Sequence, residues 1–537
     1  MVNYNFSIKY FKGQRLLLLA FLLLHTLASF YYISKQNITF DEPSYIEYSK
    51  RWLHGKPERI HNLDDSKSPV TAISWLPRIV KQFINPNYQL NDYGRSDQES
   101  GRYMMILFSF LAALYVYLWC RELYGVKGWV LPLLMLLFDP LYLAYSTLIT
   151  TDLACGAFLV ALLYHVRQYL LTKSKLHFLS SALFTGIALV TKQNMLFLVG
   201  LLPLLLFFFY VKTDVKLSLK NGILQSVLFT VIVLFVINIA FYFTGTFKSF
   251  GSYHFVSNSF QSIQQQLAIL HWLPVPVPGS YVQSIDMLQR QAELGGGLEA
   301  SSYKGVYLLG EYKSNGGFWY YYLVLLFFKM PIGTMVIILI SSVLLVKYFN
   351  WQSFRKQYQF LIVPILYYLI ILSFFNKFQI GIRHLLLVYP LLFVGIGYVF
   401  YRFTFLLKPV RILVVVSVLF TFVSVASYYP DLIPYTNEFV ADKKKVYKKI
   451  YDSSIDYGQA DSALTALQKA DPSLLPASPV PAVGKYALLM GEVLDHDLRD
   501  KPVYPWYQKL EPDSLVRHVI LIYNIKEEDL RKAGLLK

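Results

Sequence analysis

Two adjacent acids, Asp41 and Glu42, open a chemically dense stretch, Ile38 to Gly55 (ITFDEPSYIEYSKRWLHG), just beyond a long apolar run. Carboxylates at a bilayer face are costly to desolvate, so acids held there are candidates for function. A carboxylate so placed can take the proton of an acceptor hydroxyl as a general base. Asp152, after Thr150 and Thr151, also stands at the end of an apolar run, as do the basic residues Lys192, Lys377 and Arg383. Lysine and arginine can offset the charge that grows on a phosphate leaving group. Acid and base gathered at one lipid–water boundary suit a reaction on a lipid-linked phosphate. Each residue also has a plainer reading. Asp-Glu-Pro-Ser is a helix start, with acids at the positive end of the dipole and proline in the first turn. Asp152 can cap the helix it begins, Lys192 can snorkel at a helix end, and Arg383 can anchor one.

The elements that must position these residues are membrane spans. The 537 residues are 55% hydrophobic and 15% charged, with mean hydropathy +0.41. A soluble domain is about 25% charged. Eleven apolar segments approach the ~20 residues that cross a bilayer: 15–34, 103–120, 129–147, 153–171, 177–191, 194–212, 223–243, 318–346, 359–375, 383–401 and 411–427. Pro331 is expected to divide the eighth. Cys120 and Cys155 both fall inside spans, which argues against a disulfide framework, and no zinc-ligand spacing occurs. The first segment reads as an uncleaved anchor.

Charge sets the expected orientation. With the N-terminus cytoplasmic, the inside segments carry seventeen Lys and Arg against Glu122 and Asp214. The net charge of +17 therefore reads as topology, with no nucleic-acid partner. The outside receives residues 35–102, the Thr150–Asp152 turn, residues 244–317 with a glycine run at Gly295–Gly297, and the tail. Within the tail, Ala460–Lys469 has a helical pattern and Val516–Tyr523 a strand-like one. The expected domains are a membrane module, 1–427, and a small extracytoplasmic α/β domain, 428–537. Asp64-Asp65 reads as a solvated loop.

Several motifs, in order, carry a resemblance. They are Asp41-Glu42 after the first span, Arg102-Tyr103, Thr150-Thr151-Asp152, Thr191-Lys192-Gln193, Lys329-Met330-Pro331, and Ile382-Arg383-His384 through Tyr389-Pro390. Tyr428–Phe439 (YYPDLIPYTNEF) and Asp452–Gln459 (DSSIDYGQ) complete the set. From about residue 15 to 460 the chain resembles the dolichyl-phosphate-mannose–protein mannosyltransferase and aminoarabinose-transferase superfamily of GT-C glycosyltransferases. That resemblance implies an all-α polytopic GT-C fold of about eleven spans. It also implies a sugar donor on a polyprenyl phosphate and an inverting transfer on the extracytoplasmic face; metal stays open, since many relatives need none and no cluster of acids or histidines indicates one. Asp41, Glu42 and Asp152 would be the catalytic acids, Asp41 as the base or acceptor-orienting carboxylate and Asp152 as a second acid shaping the acceptor site. Lys192, Arg383 and Arg102 would hold the donor phosphate. Two departures stand out: the tail beyond residue 460 follows no family pattern, and Tyr457 stands where tryptophan is common.

The expected protein is thus a multi-pass glycosyltransferase of a bacterial plasma membrane, with an envelope lipid, glycan or protein as acceptor. A transporter or lipid flippase is the rival class, and an inactive scaffold for envelope assembly a third. A transporter more often shows charges near the bilayer midplane and related halves. Here the candidate acids stand at span ends, and no halves match.

Overall fold

The computed structural model describes residues 8–60, 64, 67–89, 94–212, 219–294, 306–314, 316–376, 378–494 and 504–536. Lys377, Asp65, Asp214 and Gly295–Gly297 lie outside the described residues.

Long apolar runs with charges only near their ends fold as helices because, in lipid, every backbone polar group must be satisfied within the segment. The first half supplies α1 (Ile8–Lys35), α4 (Arg95–Tyr124), α7 (Asp152–Thr172), α8 (Lys175–Thr191), α9 (Leu198–Tyr210) and α10 (Leu219–Ala240). Two shorter helices, α2 (Glu42–Leu53) and α3 (Leu76–Ile84), lie between α1 and α4; α5 (Val130–Leu137) and α6 (Pro140–Tyr145) lie between α4 and α7. Beyond α10 come α11 (Asn258–Gln266), α12 (Gly279–Glu293) and a small hairpin, β1 (Val306–Leu308) with β2 (Glu311–Lys313). The bundle closes with α13 (Tyr321–Lys329), α14 (Ile332–Lys347), α15 (Trp351–Ser353), α16 (Gln359–Phe374), α17 (Tyr389–Tyr401) and α18 (Lys408–Ala426).

Among the described residues eight helices are long and apolar enough to cross a membrane, or nine if α13 and α14 form one bent span. The protein is a multi-pass, mostly helical membrane protein, and the expected count of eleven spans is not confirmed among the described residues. The segment 129–147 is broken at Asp139-Pro140. Proline has no N–H and disfavours helix in the residue before it. Asp139 is accordingly extended (φ −63°, ψ 135°), and its carboxylate caps α6 through the N–H groups of Leu141 and Tyr142. The α8 segment has 17 residues, just short of a span.

The break expected at Pro331 is present. Helices α13 and α14 meet at 116°, and the carbonyls this bend frees are bound from another part of the chain. Asn437 donates from its side chain to Phe327 O (2.5 Å) and Met330 O (2.8 Å), and from its backbone to Phe328 O (2.8 Å). Lys329 is buried there, donating to Ile433 O (2.7 Å) and Ser454 O (2.6 Å).

The tail builds a four-stranded sheet of order β3-β4-β6-β5 from Leu474–Leu475, Gly484–Leu489, Ser514–Val516 (β5) and Ile520–Ile525 (β6). Its register pairs Gly484 with Ile525 and Leu489 with Ile520 across antiparallel β4 and β6. Helices α19 (Asp461–Ala470), α20 (Met490–Leu494) and α21 (Glu527–Lys532) flank it. The strand-like run 516–523 is in fact two strands folded at Arg517 and His518, both in left-handed backbone (φ 53° and 59°).

The two ends of the bundle are chemically distinct. At one, Arg167 joins Glu122 (2.7 Å) and Lys356 O (3.1 Å), and Arg355 reaches Phe209 O (2.8 Å). These residues belong to segments that the charge pattern assigns to the cytoplasm. The opposite end carries Asp41, Asp152, Lys192 and Arg383.

Candidate active site

Asp41 occupies the N-cap position of α2 but its side chain makes no cap bond. Its carboxylate turns instead to the 3-10 helix Ile382–Val388, where Arg383 Nη1 meets Oδ2 at 2.8 Å. The Tyr457 hydroxyl donates to the same oxygen at 2.5 Å. Both hydrogen bonds fall on Oδ2, Oδ1 accepts none among the described residues, and 34% of the side chain is exposed. Burial alone would raise this carboxyl. The charges of Arg383 and Lys67, with the Tyr457 hydroxyl, outweigh it and hold the acid well below the usual carboxylate range. Asp41 is therefore ionised, clamped at one oxygen and open at the other.

Glu42, one residue on, faces a different environment. It is fully buried and accepts from Arg102 Nε (2.8 Å) and Nη2 (2.5 Å), Thr39 N (2.8 Å), Thr39 Oγ1 (2.9 Å) and Ile149 N (3.0 Å). Burial opposes its charge, but Arg102 and the two backbone N–H groups keep it lowered. Arg102 also donates to Asn37 O at 2.7 Å. The pair ties the start of α2 to α4 and to the turn before α7. Arg102, expected beside the phosphate, is thus engaged by Glu42 and the chain around it.

Asp152 begins α7 and binds Lys192 Nζ at 2.6 Å, so the second acid and the first base meet. Lys192 sits in an extended residue between α8 and a short 3-10 helix, and Asp152 takes one of the three N–H donors of its ammonium. Tyr45 faces Thr151 (3.5 Å) and feels the charges of both Asp41 and Asp152. Arg383 links the two pairs: besides binding Asp41, it acts electrostatically on Asp152. Its Nε is buried with no hydrogen-bond partner among the described residues. Such a donor costs about 1–3 kcal/mol, more in a charged group, unless something accepts from it. Beside it, His384 Nδ1 meets the Tyr322 hydroxyl at 3.0 Å.

Three contributors escaped the sequence reading. Lys67, buried over the Tyr45 ring at 4.1 Å, lies in an irregular segment with no motif to mark it. Tyr457 and Asp452 belong to the motif Asp452–Gln459, which suggested a family and no role. That loop packs into the site. Phe40 N donates to Tyr457 O (3.0 Å), Asn37 N to Gln459 O (3.2 Å) and Tyr321 Oη to Asp452 (2.6 Å). Two glycines permit the approach. A Cβ on Gly381 (φ 129°) would lie 2.7 Å from Ser453 Oγ, and one on Gly458 (φ 83°) 2.9 Å from the Phe40 ring. Asp64, expected in a solvated loop, is buried and paired with Arg51 at 2.5 Å. Among the described residues no three His, Cys, Asp or Glu side chains form a metal-binding group.

Residues 93–241 match the family model described as dolichyl-phosphate-mannose-protein mannosyltransferase. No curated protein matches the chain. Among solved structures, the apo oligosaccharyltransferase of Archaeoglobus fulgidus superposes with a TM-score of 0.47 at 15% identity, over 85% of this chain and 58% of that one. The chain thus spans under three fifths of that protein's length. ArnT from Cupriavidus metallidurans, bound to undecaprenyl phosphate, is similar over 95% of this chain and 98% of its own, with a TM-score of 0.31 at 14% identity. Likenesses this distant transfer no residue roles.

Proposed function

We propose that this chain, a member of the dolichyl-phosphate-mannose-protein mannosyltransferase family over residues 93–241, transfers a sugar from a polyprenyl-phosphate donor to an acceptor hydroxyl. The observation that carries the reading is the half-open Asp41, with one oxygen clamped by Arg383 and Tyr457 and the other free. An acceptor hydroxyl gives its proton to Asp41 Oδ1 while its oxygen bonds to the anomeric carbon. The bond from that carbon to the phosphate oxygen breaks, and its electron pair leaves with the phosphate. One displacement inverts the anomeric configuration. Arg383, whose Nε lacks an acceptor, and Lys192, with N–H donors beyond the one on Asp152, receive the growing phosphate charge. Lys67 adds positive charge beside Asp41. Glu42 and Arg102 position α2 and take no part in the chemistry, and Asp152 holds Lys192 in place.

The site is read as extracytoplasmic because it lies opposite the basic loops. The acceptor is an envelope lipid, glycan or protein. Purified protein given polyprenyl-phosphate sugars and envelope acceptors should release polyprenyl phosphate only with acceptor present and form a product of inverted configuration. A retained configuration would remove the single-displacement mechanism. Cysteines placed at the exposed Ile269 and Val480 should label from outside and one at Phe349 from inside; labelling of Val480→Cys from the cytoplasm would overturn the sidedness.

A further inference from the structure

We infer that Tyr457, on the loop that leads into the tail sheet, is a positioning residue of the transfer reaction. Its phenol holds Asp41 in register once the donor phosphate has drawn Arg383 away. This rests on the proposal that Asp41 is the base.

In the structure Asp41 Oδ2 has two partners, and they differ in what a phosphate does to them. Arg383 carries a positive charge and an unsatisfied Nε, so an arriving phosphate competes with Asp41 for its guanidinium. Tyr457 is neutral. Burial keeps its phenol well above its ordinary value, so it remains a donor, and an anion has little charge to recruit it with. Its ring also lies 4.6 Å from the Arg383 guanidinium, and the two polar ends touch, so it guides that arginine in both states. The loop behind it is fixed from three sides. Tyr457 N donates to Gln459 Oε1 (2.6 Å), Phe40 N donates to Tyr457 O (3.0 Å), and Ile382 N donates to Ser454 Oγ (3.0 Å). The second contact ties the loop that carries the phenol to the turn that carries Asp41. In the reaction the acceptor proton goes to Oδ1, while the Tyr457 O–H stays on Oδ2 and transfers nothing.

The test compares Asp41→Asn, Tyr457→Phe and 3,5-difluorotyrosine placed at 457 in the full-length protein, by kcat, donor KM and pH profile. Phenylalanine keeps the ring over Arg383 and removes only the donor. A hydrogen bond to a charged group corresponds to roughly 10–100-fold, expected in kcat with donor KM changed little. The acid limb of the profile should move to higher pH, because the carboxylate loses a donor to its charged form. The fluorinated phenol, a stronger donor of nearly the same shape, should move that limb the other way. A wild-type kcat and an unmoved limb in Tyr457→Phe, with Asp41→Asn inactive, would overturn the role of Tyr457 alone. Normal transfer by Asp41→Asn would remove the base assignment, and this inference with it. Should the phenylalanine protein not fold, an unmoved limb in the fluorinated one would overturn it equally.

Discussion

Asp41 and Glu42 share a peptide bond, a charge and an arginine partner each, yet their surroundings make them opposites. Glu42 is fully buried and has two guanidinium contacts, two backbone N–H groups and a hydroxyl. Asp41 has two donors on one oxygen and, among the described residues, none on the other. A saturated carboxylate fixes structure, whereas a half-saturated one can still accept a proton. The same distinction separates Arg102, occupied by Glu42 and Asn37 O, from Arg383, whose Nε has no hydrogen-bond partner among the described residues. Under the proposed mechanism, adjacent acids therefore divide between scaffold and chemistry by how fully the fold satisfies them.

The largest effect should come from Asp41→Asn. General-base contributions are typically ~10²–10⁴-fold, so transfer should fall by that factor in a normally folded protein. Asp41 makes no cap bond, so the variant's thermal midpoint should fall only by what the partly exposed pair with Arg383 contributes, less than in a protein that loses a fully buried pair. Activity within a few-fold of wild type would erase the contrast between the two acids. Arg102→Met should do the reverse. Removing one partner of a buried ion pair costs about 3–5 kcal/mol, so the melting point should drop while turnover per folded molecule holds. A stable but inactive Arg102→Met would move Arg102 back beside the phosphate.

Lys192→Gln should raise the donor KM roughly 10–100-fold, the range for a lost charged hydrogen bond, and leave the acceptor KM nearly unchanged. Unchanged donor affinity would leave Lys192 as no more than the partner of Asp152. The smallest effect is in pH. The folded Glu42 carboxyl is lowered from its ordinary 4.5, so its stabilisation is fully present above about pH 4.5 and lost as pH falls through the lower folded value. Glu42→Gln should lack that part of the acid destabilisation, read as a shallower fall in melting point below pH 4.5. An identical fall in both proteins would mean that Glu42 gains nothing from its donors.

Much of the helical framework was legible because lipid forces long apolar runs into helices, and Pro331 marked its own break. Asp139-Pro140 misled the span count because a buried proline break leaves hydropathy almost unchanged. The hairpin at Arg517-His518 was hidden because neither residue is a usual left-handed one. In the site, span-end charges pointed to Asp41, Asp152, Lys192 and Arg383, which the fold gathers at one end. The unequal fates of Asp41 and Glu42 were not legible, since they depend on Ile149, Arg383 and Tyr457, all distant in sequence. Residues 428–459 are woven into the membrane module through Asn437, Lys329 and the Tyr457 loop, and the tail's own helices and sheet begin at Asp461.

The Tyr457 contact also has a consequence for biogenesis. Asp41 and its clamp are 416 residues apart, so the early acid leaves the ribosome long before its partner exists. At synthesis rates of about 5–20 residues per second that interval is roughly 20–80 s. Throughout it, helices insert around an unfinished basin whose base is held by nothing from the tail. Under the proposed mechanism, the nascent chain gains a fully held base only once the Tyr457 loop has been made.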